Sequence, residues 1–280
     1  MGVLNVTPDS FSDGGRYLDP ARAVERALAM QAEGADLIDV GGESTRPGAP
    51  PVGEDEEKRR VLPVIERIAA RAPTLPISLD TVKAGVARAG VGAGAVLVND
   101  VSAGTLDPEM LPAVATLGVP ICLMHLPVRP QEMGWSRTAL PEDADVIAAI
   151  VSFLRERVEA ARSAGISPDR LLIDPGFGFG KSVEQNLRIV RRLADIRKAL
   201  PFPVVLGTSR KSTIARVLGP DAEAADPDRL AGTAATVALG VGAGADIVRV
   251  HDVGFMARVA RMADAVVRDA EAPGPTRYAV

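Results

Sequence analysis

The dominant pattern along the chain is an alternation between short apolar runs and longer amphipathic stretches. The apolar runs are GVLNV (2–6), DLIDV (36–40), PISLD (76–80), AVLVND (95–100), VPICLM (119–124), LLID (171–174), PVVLG (203–207) and DIVRV (246–250). They are largely continuous rather than polar at every second residue. Strands covered on both faces read this way, as in an all-parallel sheet. Between them lie DPARAVERALAMQAEG (19–34), EDEEKRRVLPVIERIAAR (54–71), PEDADVIAAIVSFLRERVEAARSAG (141–165), VEQNLRIVRRLADIRKAL (183–200) and DRLAGTAATVALGVGAG (228–244), with apolar residues at helical spacing. Several of these follow Asp, Ser or Pro and end on Gly, as helix caps predict. Eight strand–helix alternations in 280 residues predict an α/β protein, a (β/α)8 TIM barrel in one domain spanning 1–280. A doubly wound open sheet is the alternative. It needs a topological switch point and usually a G-x-G-x-x-G turn after the first strand, where this chain has NVTPDSF.

A barrel confines chemistry to the C-terminal ends of its strands. Here those ends read Asn5, then Asp39 with Glu43, Asp80, Asn99 with Asp100, His125, Asp174, then Ser209, Arg210 and Lys211, and last Arg249 with His251. Taken singly, each is as well explained as a cap or a loop acceptor. As a ring at one mouth they form a convergent polar cavity. Asp80, Asn99, Asp174 and Lys211 make a patch that accepts hydrogen bonds and supplies one cation, which suits a neutral heterocycle with N–H donors. Asn5, Arg46, Arg249 and His251 make a cationic and amide patch, which suits phosphate or pyrophosphate. TSRKS (208–212) leads into a helix start, which favours an anion too. The glycine-rich run LLIDPGFGFGK (171–181) resembles a phosphate cradle, but a carboxylate stands at its mouth. Asp174 is therefore either a turn residue or the acceptor for a ligand that donates hydrogen bonds.

Composition narrows the partners. Aromatics are 3% of the chain, too few for base-stacking platforms. Net charge is −4 with no basic run, so neither nucleic acid nor an anionic membrane is an expected partner. No stretch reaches transmembrane length, and MGVLNVTPDSF carries no charged leader, so a cytoplasmic location is expected. The single cysteine, Cys122, sits in an apolar run and reads as a core thiol. Two histidines and one buried cysteine make no zinc constellation. Asn5 suits magnesium shared with substrate phosphates, or equally a structural amide.

MGVLNVTPDSFSDGG, IDVGGESTRPG, SLDT, VNDVSAG, CLMH, LLIDPGFGFGK, LGTSRKS and IVRVHD, in this order, resemble the dihydropteroate synthases. The likeness runs from residue 1 to about 255. It implies a TIM barrel, usually a homodimer, that joins p-aminobenzoate to 6-hydroxymethyl-7,8-dihydropterin diphosphate with Mg2+ and releases pyrophosphate. Sulfonamides target this family. By the resemblance, Asp80, Asn99, Asp174 and Lys211 hold the pterin, with Met124 and Phe179 as apolar walls. Asn5, Arg249 and His251 hold the pyrophosphate, Asn5 touching the metal as well. Asp9, Ser10 and Phe11 lie on one mobile loop; Thr45, Arg46 and Pro47 lie on a second. Phe11, Thr45, Pro47 and Ser212 face p-aminobenzoate. Asp9, Arg46 and Lys211 serve the chemistry. Two departures stand out. The chain begins almost inside its first strand, which is expected to bear on stability more than chemistry. Val128 replaces a glycine in the loop after strand five, so that loop and His125 are expected to differ from the family. A methyltetrahydrofolate-binding methyltransferase domain shares the pterin barrel but fits TRPG and SRKS poorly. A non-catalytic pterin-binding paralogue and an unrelated barrel lyase are the other rivals.

Overall fold

The computed structural model describes residues 1–7, 20–134, 137, 139–141, 144–219 and 227–268. The apolar runs form eight strands: β1 Gly2–Asn5, β2 Ile38–Gly41, β3 Ile77–Asp80, β4 Leu97–Asp100, β5 Ile121–Met124, β6 Leu171–Asp174, β7 Val205–Leu206 and β8 Ile247–Val248. The helices are α1 Pro20–Ala32, α2 Glu54–Arg71, α3 Ala84–Gly92, α4 Met110–Leu117, α5 Val146–Ser163, α6 Val183–Arg191, α7 Leu193–Ala199, α8 Ser212–Leu218, α9 Pro227–Gly242 and α10 Val253–Val267.

β1 to β6 pair in sequence order, all parallel, and β7 pairs with β8. Two parallel bridges, Ile173 with Val204 and Gly2 with Val250, join these pieces. Backbone hydrogen bonds complete both seams: Ile173 N–H donates to Pro203 O at 2.9 Å, and Val3 N–H to Val250 O at 2.9 Å. The sheet therefore closes into the eight-stranded barrel rather than the open alternative. Closure leaves no free edge, which is why two-residue β7 and β8 suffice.

Outward-facing strand residues pack against the helices. Ile38, Val40, Ile77 and Leu79 pack with Val61, Ile65 and Ile68 of α2. Val98, Ile121, Leu123 and Ile173 pack with Ile150 and Leu154 of α5 and Ile189 of α6. Side chains at alternate positions point inward, and those are Asp39, Ser78, Asp80, Asn99, Cys122, Met124 and Asp174. The amphipathic run 183–200 departs from a single helix. It breaks at Arg192, whose φ of −117° and ψ of 23° end α6. The break turns Leu193 and Ile196 of α7 onto the core. No helix among the described residues is long and apolar enough to cross a membrane.

Candidate active site

Strand register decides which polar residues become neighbours. Asp80 lies beside Asn99, and Met124 beside Asp174. Gly41 lies beside Asp80, and Asn5 beside Gly41. Asp80, Asn99, Met124 and Asp174 are all buried at one mouth.

Charge is not evenly balanced at this mouth. Arg249 donates Nε to Asp39 at 2.6 Å and Nη2 to Asp80 at 2.8 Å. Asn99 donates its amide to Asp39 at 3.0 Å. Burial pushes Asp80 up to about 7, with Arg249 opposing and Asp39 adding to the rise. Burial also raises Asp174, which accepts from the Gly176 N–H at 2.7 Å. It lowers Lys211 to about 7, against the pull of Asp174. Lys211 Nζ donates to Phe177 O at 2.7 Å and stands 3.9 Å over the Phe179 ring. The heterocycle-seeking patch is thus assembled, with Met124 and Phe179 belonging to an apolar cluster that includes Val101, Leu126 and Met133.

The two patches read from the sequence are not separate. Arg249, assigned to the anion end, is tied to Asp80 of the other and to Asp39, which belongs to neither. His251 follows two residues on, its Nδ1 3.0 Å from Ser209 Oγ, and burial lowers its pKa to about 3. Asn5 is partly exposed at the end of β1. Thr45 and Pro47 are partly buried on the loop after β2, whereas Arg46 is exposed there. That loop is rooted by Lys83, which donates to Glu57 Oε2 at 2.6 Å and pairs with Glu43. A cavity of about 40 Å3 lies beneath it, lined by Glu43, Thr45, Glu57, Asp80 and Pro130 among others. Ser212 opens α8 directly after Lys211. Asp9, Ser10 and Phe11 lie outside the described residues.

The loop after β6 owes its shape to a group without an assigned role. Lys181 is fully buried, and its Nζ donates to Gly176 O at 2.8 Å, Phe179 O at 3.0 Å and His125 O at 3.4 Å. Three backbone carbonyls thus satisfy the ammonium that burial would otherwise penalise. Gly176 and Gly178 adopt φ of 70° and 82°, and a Cβ on Gly178 would stand 2.5 Å from Lys211 Cδ. The glycines let the loop pass close to the lysine that completes the site.

Val128 proves compatible with its loop. Among the described non-glycine residues only Ala103 and Arg210 have positive φ, so Val128 needs no glycine-like backbone. It packs against the apolar cluster at the mouth. His125 is 3% exposed, stacked edge-on against Phe153, with burial driving its pKa to about 2 and Lys181 adding to that. The folded pKa lies below the unfolded value near 6.5, so the stability is present above 6.5 and is lost as pH falls toward 2. At pH 5 that loss is about 2 kcal/mol. A His125→Gln variant, which cannot titrate, is expected to lose less stability than wild type between pH 7 and pH 5 in urea melts. Parallel losses would show that His125 does not titrate this way.

Two contributors escaped assignment from the sequence. Asp39 was visible only as a strand-end carboxylate, although a charge inside a doubly covered strand is itself a signal. Lys181 carries no role from the sequence beyond closing the glycine-rich run, and the three carbonyls that converge on it make it the loop's anchor.

A family model described as pterin binding enzyme matches residues 1–251. The dihydropteroate synthase of Bacillus subtilis (strain 168) is 47% identical over 267 residues, which are 95% of this chain and 88% of that protein. The structure of Xanthomonas albilineans dihydropteroate synthase with 4-aminobenzoic acid aligns with a TM-score of 0.85 at 46% identity, covering 95% of this chain and 91% of that one. The same enzyme in complex with 7,8-dihydropteroate aligns with a TM-score of 0.81 at 44% identity, covering 95% and 92%.

Proposed function

The chain belongs to the pterin-binding enzyme family, and on that footing we propose that it is a dihydropteroate synthase, condensing dihydropterin diphosphate with p-aminobenzoate inside one barrel domain. The observation that carries this reading is the buried Asp80, Asn99 and Asp174 set facing Lys211 over the Phe179 ring. A pterin offers an amino group and a ring N–H side by side, and Asp174 accepts both. Lys211 donates to the acceptor edge of the ring, and Met124 with Phe179 forms its walls. Arg249, His251 and Asn5 take the diphosphate. Thr45, Pro47, Phe11 and Ser212 surround p-aminobenzoate, while Asp9 and Arg46 close over the reacting atoms.

Among the described residues no three His, Cys, Asp or Glu side chains are grouped to hold a metal. The Asn5 amide, partly exposed at the end of β1, would hold Mg2+ together with substrate oxygens, as suits a cation that keeps few protein ligands. When bound, the ion supplies charge stabilisation to the diphosphate. The chain's own part is to stabilise the departing charge with Arg249 and to keep water away from the ring's methylene. An electron-rich pterin favours departure of pyrophosphate before the amine attacks, and the amine needs positioning more than activation. The test is turnover of pterin diphosphate and labelled p-aminobenzoate with Mg2+, with and without a sulfonamide. Sulfonamide-sensitive dihydropteroate is expected. Pterin binding without product would move the protein to the non-catalytic paralogues. Crystals soaked with the pterin diphosphate alone are expected to show pyrophosphate detached; an intact diphosphate would favour direct displacement.

The protein is also expected to pair with itself. Leu239, Phe255, Met262 and Val266 are 64%, 42%, 66% and 70% exposed along a groove of α6, α9 and α10. Apolar patches of this kind mark interfaces. Sedimentation is expected to give a dimer, and Met262→Glu with Val266→Glu a monomer. A monomeric wild type at micromolar concentration would rule the dimer out.

A further inference from the structure

One guanidinium serves two carboxylates at the mouth, and the three groups differ in reach. The Asp39 side chain is 0% exposed, Asp80 10% and Arg249 21%. A ligand entering the mouth can compete for Asp80 and Arg249 but cannot touch Asp39. Asp39 also holds the Asn99 amide through Oδ2. Its Oδ1 is buried and has no hydrogen-bond partner among the described residues. Asp39 is thus a fixed anchor with a spare acceptor, and Asp80 is a displaceable partner.

We propose that Asp39 is a positioning residue: it holds Arg249 by Nε while Nη2 is exchanged from Asp80 to an incoming anion, so that the heterocycle and diphosphate halves of the substrate bind cooperatively. The proposal rests on the reading of the mouth as a site for a dihydropterin diphosphate. In the free protein, Asp80 is already occupied by Nη2. A ring N–H adds to the acceptor positions that this carboxylate still offers, without displacing that donor. An anion beside Arg249 then draws Nη2 away at less cost, because Asp80 keeps the ring donor. In the reverse order, an anion that draws Nη2 away leaves Asp80 with an open lone pair, which the ring N–H fills. The anion alone leaves the buried Asp80 carboxylate without its charged donor, and the heterocycle bound beside it supplies another. The coupling is reciprocal by thermodynamic necessity.

Calorimetry on the intact protein tests this with two unreactive probes, magnesium pyrophosphate and 6-hydroxymethylpterin. Each is expected to raise the affinity of the other by the same factor, about five- to tenfold. Asp39→Asn keeps the shape and removes the charge. It is expected to bring that factor close to one while the pterin still binds. Additive binding in the wild type, which requires no variant to fold, overturns the proposal. An undiminished factor in a folded Asp39→Asn protein does so as well. Binding of neither probe to the wild type overturns the functional reading itself, and the positioning role with it.

Discussion

Asp174→Asn is expected to lower kcat/KM for the dihydropterin diphosphate by about two to three orders of magnitude, with the fold intact. Asp174 lies at the end of β6, buried, with one oxygen already accepting from the Gly176 N–H. Its remaining capacity lies in the field of the Lys211 ammonium, which stands over the Phe179 ring. Two ligand donors on one carboxylate are charge-assisted hydrogen bonds, each about 1.5–3 kcal/mol. Asparagine keeps a single acceptor oxygen and turns an N–H2 toward the ligand's own donors. It also removes the negative charge that holds the Lys211 ammonium against desolvation. The loss should therefore appear in pterin affinity by calorimetry as well as in turnover. The melting curve should move little, since asparagine can still accept from Gly176. A variant within threefold of wild type in both measurements would remove Asp174 from the site.

Gly176→Ala is expected to be the costliest small substitution in the barrel mouth, on the order of 3 kcal/mol. Gly176 has φ of 70°, and a Cβ there would stand 2.1 Å from His125 O and 3.0 Å from Lys181 Nζ. The first of these is backbone, held by the hydrogen bond from His125 N–H to Asp174 O at 3.0 Å, so no rotamer change relieves the overlap. Relief requires parting β5 from the loop after β6. That would also break the contact of Lys181 with His125 O. In thermal melts the variant should lose about 6–10 °C. Gly207→Ala is the control: its φ is not positive, and its Cβ would meet only Arg249 Cβ at 3.8 Å and Cδ at 4.0 Å. Equal melting temperatures for the two variants would show that the overlap is absorbed.

Both expectations depend on features that reached legibility by different routes. The strands were readable because burial on both faces demands continuous apolar runs, and eight such runs are present. Their sequence order was also enough to place Asp80, Asn99 and Asp174 at one mouth, since parallel strands all deliver their C-terminal ends to the same side. The start of α6 was readable as the start of the amphipathic run at 183, and the structure caps it with Ser182 and Gln185, which satisfy each other's backbone N–H groups. Its break at Arg192 was not. The amphipathic pattern continues through it, and only the direction of the core decides where the chain must turn.

The strand order, the helical faces, the ring of polar strand ends and the family could all be read along the chain, because these depend on local periodicity and on motifs of neighbouring residues. Tertiary structure alone decided which ring members pair. Arg249 lies 210 positions from Asp39 and 169 from Asp80, yet one guanidinium binds both. Lys181 became a loop anchor only when the carbonyls of Gly176, Phe179 and His125 converged on it. Val128 became acceptable only when its loop took a negative φ. Each of these is a question of distance and solvent exposure across the barrel, where burial and shared charges set the outcome and adjacency along the chain does not.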